Sequence, residues 1–191
     1  GSSGGGHMSM LMAGHHPERF SAVSAWVGIS DLAEWYRFHL KDGKPQRYAQ
    51  MTLNSLGGPP DESAERDAEY RDRSPIFHLH RVGDLPIELQ AGIRDGHTGS
   101  VPTAHTLKAF NVIAKAHGTT QISDDEIERL WRRGGTIPAL SKAATAEPRK
   151  VFFTRKSGSA RVMIFDGGHE GIPGPACEWL TKQKRDTLRA K

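Results

Sequence analysis

Short runs of small and β-branched residues alternate with helical patterns along this chain, and no other feature restricts its fold as much. Ser21-Ala22-Val23-Ser24-Ala25-Trp26-Val27, bounded by Gly28, reads as a buried strand, and Pro86-Ile87-Glu88-Leu89-Gln90-Ala91-Gly92-Ile93 as a second. Val151 to Thr154 and Ala160 to Phe165 are two more, separated by Lys156-Ser157-Gly158. Helical segments fill the intervals. Met8 to Gly14 ends at a glycine, with Pro17 beyond it. Asp31 is placed to cap a helix through Leu40, since Glu34 sits three residues on and Leu32, Trp35 and Tyr36 share an apolar face. Asp61 to Arg73 reads as a charged helix stopped by Ser74-Pro75. Val101 to His117 carries apolar residues at Leu107, Phe110, Val112, Ile113 and Ala114 and closes at Gly118. Ser123 opens another helix, with Glu126 completing a capping box and Ile127, Leu130 and Trp131 facing inward. A last helix runs from about Gly174 to Ala190; Gly57-Gly58-Pro59-Pro60 and residues 134–150 are loops. Strands alternating with helices predict an α/β fold with a largely parallel sheet.

The 191 residues suit one domain, or two small ones, with a substantial core. Apolar residues at 36% and charged residues at 25% exclude collagenous, wholly disordered and coiled-coil classes. No apolar run approaches the roughly 18 residues of a membrane span. With that composition a soluble chain is expected; no basic-then-apolar leader is visible, and the compartment is left open, with the cytoplasm slightly favoured. The single cysteine, Cys177, rules out an internal disulfide framework and a multi-cysteine zinc site. Net charge is +4, but the cations are interleaved with acids, and the basic stretch from Lys182 to Lys191 reads as a solvated helix face. No nucleic-acid or membrane partner is expected.

Open parallel sheets gather functional groups just beyond the C-terminal ends of their strands. Arg94-Asp95-Gly96-His97 follows the second strand and Asp166-Gly167-Gly168-His169-Glu170-Gly171 the last, while Gly1-Ser2-Ser3-Gly4-Gly5 precedes the first helix. Gly1-x-Ser3-x-Gly5 fits the pattern of a nucleophile elbow, a sharp strand-to-helix turn whose flanking glycines keep side chains off neighbouring backbone. A serine hydroxyl needs a base, and the base needs an acid to orient it. Ser3, Asp95 and His169 occur in the order of an α/β-hydrolase triad, and the Gly4 amide is the matching oxyanion-hole donor. Each feature also has a plainer reading. Gly1 to Met8 has the composition of an expression-tag remnant, Asp95 can simply cap a turn with Gly96, and His169 can be a solvated loop histidine. His97 can line the site mouth or be an ordinary loop residue. His78-Leu79-His80 has strand spacing for two imidazoles but too few ligands nearby in sequence for a metal, and no phosphate-loop, dinucleotide or HExxH pattern occurs.

Six separated segments together resemble the catalytic domain of the prolyl oligopeptidase (S9) serine peptidases. They are Gly1-Ser2-Ser3-Gly4-Gly5-Gly6-His7-Met8, Ala13-Gly14-His15-His16-Pro17-Glu18-Arg19-Phe20, Ala25-Trp26-Val27-Gly28-Ile29-Ser30-Asp31-Leu32, Arg73-Ser74-Pro75-Ile76, Gly92-x-x-Asp95 with Val101-Pro102 and His105, and Asp166-Gly167-Gly168-His169. The resemblance covers most of residues 1–118 and 160–183. It implies the C-terminal portion of an α/β-hydrolase fold, beginning at the elbow. It also implies peptide-bond cleavage through an acyl-enzyme by Ser3, His169 and Asp95, with Gly4 as oxyanion donor, no metal and no cofactor. Carboxyl or acetyl esters are the rival substrates, and a non-catalytic remnant acting in assembly is the rival role.

Three departures bear on that expectation. Gly99 and Ser100 lengthen the loop between Asp95 and Val101-Pro102. Residues 119–158 form an insertion with its own helix and strand, to be read as a lid, an oligomer contact or a solvent-facing decoration. Glu170 follows His169 where glycine is more usual. The resemblance further implies strands before Gly1, a loop bearing a second oxyanion donor, and a gating β-propeller. Without them Ser3 is expected to be mobile, the chain weakly active alone, and the exposed sheet edge a site of homo-oligomerisation.

Overall fold

A four-stranded sheet organises the computed structural model, which describes residues 1–138 and 148–184. In chain order the strands are β1 (Val23–Trp26), β2 (Leu40–Lys41), β3 (Lys44–Pro45), β4 (Ile87–Gly92), β5 (Val151–Ser157) and β6 (Ala160–Phe165). The helices are α1 (Gly4–His15), α2 (Leu32–Phe38), α3 (Arg47–Leu56), α4 (Ala64–Asp72), α5 (Thr103–Ala116), α6 (Asp124–Thr136) and α7 (Pro173–Thr181). The main sheet runs β1-β4-β6-β5, with β2-β3 a separate antiparallel pair. β1, β4 and β6 are parallel, and β5 adds an antiparallel edge through the turn at Gly158-Ser159. The expected mostly parallel α/β sheet flanked by helices is therefore what forms.

Central position explains why β4 alternates apolar and polar residues yet buries all six. Ile87, Leu89 and Ala91 pack with Val162, Ile164 and the α5 residues Leu107, Phe110 and Ile113 in the main core, which α1 joins through Met10 and Ala13. The opposite face aligns Ser24, Glu88 and Arg161 across three strands. Ser24 Oγ donates to Glu88 Oε1 at 2.9 Å, Trp26 Nε1 donates to Ser24 Oγ at 2.8 Å, and Arg161 pairs with Glu88 Oε2. A carboxylate with no solvent exposure is tolerable only when both oxygens are engaged in this way. The Arg161 guanidinium in turn lies over the Trp179 ring of α7.

Helix ends follow local chemistry, with adjustments. Asp31 Oδ1 accepts from the Ala33 and Glu34 amides, but Glu34 turns away to Lys108 at 2.7 Å, so only half of the expected capping box forms. The Ser123–Glu126 box is complete. α4 begins after Ser63 rather than at Asp61, which lies at φ 69° outside the helical region. α3 falls where no helix was expected. Its buried face is Ala49, Thr52 and Leu56, the first two too small or polar to announce a stripe, and Ala49 and Leu56 form a second core with Tyr36 and Tyr70. α7 ends at Thr181; the part of the expected final helix beyond residue 184 lies outside the described residues. The chain at 79–81 makes a 3-10 turn, not a strand, so His78 is buried while His80 is exposed.

Candidate active site

Gly1 and Ser2 run alongside the end of β1. Trp26 N–H donates to Gly1 O and Ser3 N–H to Trp26 O, both at 2.9 Å, and the Gly1 amino group donates to Ser24 O. The chain then turns into α1 within one residue. Ser3 takes φ 54° and ψ −119°, a conformation that costs a non-glycine residue on the order of 1–3 kcal/mol. Ser3 is thus anchored through its backbone rather than loose. The steric need for glycine falls partly elsewhere than the pattern suggests. A Cβ at Gly1 would strike the Gly5 backbone and one at Gly6 the Trp26 carbonyl, whereas Gly5 itself has open space. Ser3 caps α1 with its backbone only, which leaves its hydroxyl free of the helix.

That hydroxyl lies 2.8 Å from His169 Nε2, and His169 Nδ1 lies 2.8 Å from Asp95 Oδ2. A carboxylate can only accept, so Nδ1 carries the proton and Nε2 presents its lone pair to the serine. Asp95, fully buried just past β4, has Oδ1 occupied by the amides of Gly96 (3.0 Å) and Val101 (3.1 Å). Burial pushes its carboxyl above the usual carboxylate range, and the His169 hydrogen bond and those two amides oppose the shift. The Gly4 amide begins α1, has no hydrogen bond among the described residues, and shares the positive end of the helix dipole. The structure thus brings together Ser3, Asp95 and His169, loop residues up to 166 positions apart, with Gly4 opening α1 next to Ser3.

The lengthened acid loop belongs to the same cluster. A Cβ at Gly99 would overlap Asp95 Oδ1 and sit 2.5 Å from His169 Cβ, so only glycine fits between acid and base. Ser100 Oγ lies 3.3 Å from His169 Nε2, a second hydroxyl on the ring. Its carbonyl takes Trp35 Nε1–H at 2.7 Å and meets His39 Nε2 at 2.8 Å, and Trp35, His39 and Tyr48 pack ring against ring. Only the unexpected loop length marked Gly99 and Ser100 in the sequence, and no local pattern assigns them a place. His97, exposed on the acid loop, makes its contacts with α6. It stacks on Trp131 at 3.7 Å and bonds the Trp131 carbonyl, pinning α6 to the acid loop and keeping Trp131 half-buried instead of in the core.

The histidine loop is held from two sides. Arg94, buried, pairs with Asp166 Oδ1 at 2.5 Å, and its amide donates to Gly167 O. Arg149 donates to Asp166 O at 2.9 Å and reaches both oxygens of Glu170, at 3.4 and 3.2 Å, while Glu170 Oε1 accepts from Gly168 N–H. Glu170, the unusual neighbour of His169, therefore meets an arginine from the segment 119–158 and just before β5. Cys177 is exposed and unpaired. No helix among the described residues is long and apolar enough to cross a membrane.

A largely parallel sheet with a strained serine on a strand-to-helix elbow at its C-terminal edge is the fold of an α/β-hydrolase. The sequence pattern of the prolyl oligopeptidase family (Peptidase_S9), a family of serine hydrolases, matches residues 1–129, and the chain belongs to that family. The match begins at Gly1, so the glycine-rich start is family sequence and not a tag remnant. The structure of the Pyrococcus horikoshii acylaminoacyl peptidase, in its orthorhombic crystal form, is similar at 20% identity and a TM-score of 0.49, over 71% of this chain and 21% of that one. The chain thus spans about a fifth of the length of that protein. No curated protein matches it.

Proposed function

We propose that this chain carries the catalytic centre of a serine peptidase that cleaves through an acyl-enzyme. Ser3 Oγ attacks the carbonyl carbon of the scissile bond as His169 Nε2 takes its proton. The Gly4 amide, at the positive end of α1, stabilises the oxyanion. The tetrahedral intermediate collapses as the imidazolium returns the proton to the leaving amine. Water, activated by the same imidazole, then releases the acyl group. Asp95 holds the ring in the Nδ1–H tautomer and stabilises its charged form. The steps use no metal and no cofactor. The observation that carries the reading is the continuous relay from Ser3 Oγ through His169 to Asp95 Oδ2, at 2.8 Å for each link.

Peptide rather than ester cleavage rests on family membership. We read residues 1–191 as part of an α/β-hydrolase catalytic domain and residues 119–158 as an insertion in it. The Gly4 amide is the oxyanion donor that the described residues offer, and one such donor is worth on the order of 10²–10³ in rate. Copies are expected to associate through the apolar margin beside Gly1 and Ser2, which themselves cover the outer edge of β1. The test is labelling of Ser3 by a fluorophosphonate probe, followed by assay on aminoacyl arylamides and acetyl esters. Labelling of the wild type but not of Ser3→Ala supports the reading. An unlabelled wild type sinks it in favour of a non-catalytic role in assembly, and turnover confined to the esters replaces peptidase by esterase.

A further inference from the structure

At the far end of α1 from Ser3, about 18 Å away for a helix of 12 residues, three potential metal ligands converge from three parts of the chain. His15 is the last residue of α1, Asp72 the last of α4, and His78 lies between two 3-10 turns. One ligand atom from each lies within 4.8 Å of the other two. The His15 and His78 rings are 4.1 Å apart between centroids. The approach depends on Gly14, where a Cβ would come within 2.7 Å of His78 Cβ.

His78 supplies an independent observation. Its ring is buried, and Nε2 lies 2.9 Å from the Asp72 carbonyl. A carbonyl only accepts, so Nε2 carries the hydrogen and Nδ1 is left with a lone pair. Nδ1 is buried and has no hydrogen-bond partner. A buried acceptor without a hydrogen-bond partner is costly to fold around, and a bound cation answers that lone pair. A ring N–H given to a backbone carbonyl is also the usual way a protein orients a metal-ligating imidazole. The Asp72 carboxylate enters no ion pair or hydrogen bond among the described residues, and it stands at the surface, where an ion can enter.

We propose that His15, Asp72 and His78 bind a divalent transition-metal ion, with zinc as the natural occupant, at a site separate from Ser3, Asp95 and His169. Two imidazoles and one carboxylate, without thiolate, suit a borderline ion such as zinc and not calcium or magnesium, which prefer all-oxygen shells. Ligands about 2.0–2.1 Å from a tetrahedral ion stand about 3.4 Å from one another, so the cluster contracts by no more than about 1.5 Å on binding. The exposed Asp72 side chain has that freedom. Water takes the fourth position. The ion ties the end of α1 to α4 and to the turn that leads into β4, stapling the element that presents Ser3 to the strand that presents Asp95.

The test is titration of the chelator-treated 191-residue chain with cobalt(II), read by its d–d absorption, and with zinc, read by calorimetry and by the melting temperature. His15→Ala and Asp72→Asn are the variants, because both positions are accessible and neither touches the Ser3 relay. The expected result is one equivalent bound by the wild type, a tetrahedral cobalt spectrum and a melting temperature raised by zinc, with affinity falling at least tenfold in each variant. Absence of binding by the wild type, or binding unchanged in both variants and so attributable to other histidines, overturns the proposal. Neither result depends on hydrolytic activity.

Discussion

Ser3 combines a strained backbone with the proposed role of nucleophile. Replacing it with alanine is expected to abolish probe labelling and reduce hydrolysis by on the order of 10³-fold or more. Ser3→Gly is expected to do the same while raising the unfolding midpoint, because glycine relieves the positive φ, a gain of about 1 kcal/mol by chemical denaturation. Asp95 is poised similarly. A carboxyl whose folded pKa is raised is favoured in its protonated form, so its contribution to stability is lost as pH rises from the unfolded value through the folded one. At neutral pH the buried charge is a burden. Asp95→Asn keeps the acceptor for Gly96 and Val101, so it is expected to unfold at a higher denaturant concentration at pH 7. It places an NH2 before His169 Nδ1 and inverts the tautomer, so turnover falls by on the order of 10⁴-fold. A stability loss with full turnover would contradict both statements. His105 titrates with the opposite sign. It is fully buried, its Nδ1 accepts from the Ser30 and Asp31 amides, and burial lowers its pKa to about 3. The unfolded chain takes up a proton that the folded one refuses, so between pH 6.5 and about 3 stability falls on acidification, with a limiting slope of about 1.4 kcal/mol per pH unit from this group. Urea midpoints measured across that window, with His105→Gln giving a shallower slope, check it.

Among the elements, α6 and the histidine loop show what the segment 119–158 does for the site. Gly134 of α6 lies directly on the Ile93 carbonyl, two residues before Asp95, and a Cβ there would overlap that oxygen. Gly134→Ala is therefore expected to lift α6 from the acid loop, costing about 1–3 kcal/mol in denaturant unfolding. The Arg149–Glu170 pair acts on the other side. Glu170 is partly exposed, so breaking the pair is expected to change stability by less than about 1 kcal/mol. It lies next to His169, and displacing a reacting group by about 1 Å can cost a hundredfold. Glu170→Gln is accordingly expected to slow fluorophosphonate labelling of Ser3 about tenfold with little change in melting temperature. Unchanged labelling would reduce the pair to a surface contact. At this scale the sequence was legible where signals are local. The Ser123 box, the Gly118 stop and the β4 run need only neighbouring residues. It is silent at α3, whose stripe is built from Ala49 and Thr52, and at His78-Leu79-His80 strand-like spacing falls on a 3-10 turn, because alternation over three residues does not separate the two.

Considered whole, the molecule is a sheet with unlike edges. β5 closes one margin as an antiparallel strand carrying Arg155 and Lys156, charges that discourage further pairing. At the other, Gly1 and Ser2 lie beside β1, and an apolar depression lined by Trp26, Gly171, Ile172, Pro173 and Ala176 adjoins them. Light scattering of the 191-residue chain is expected to give a dimer or larger species through that margin, and a lysine placed at Ile172 to shift it towards monomer. A monomeric wild type at micromolar concentration would refute the association.

Neighbouring residues alone carry the class of fold, the order of the strands along the chain and the three loops proposed to bear the chemistry, because periodicity, caps and the position of loops after strands are local properties. Folding in three dimensions sets Ser3 and His169 2.8 Å apart, squeezes Gly99 between Asp95 and His169, brings Arg149 to Glu170, and gathers His15 and Asp72 at His78. Each of those contacts joins residues whose separation in the chain leaves no local trace. They exist because burying Ile87, Leu89, Val162, Ile164 and Phe110 in one core draws the loop ends to one edge and the end of α1 onto α4.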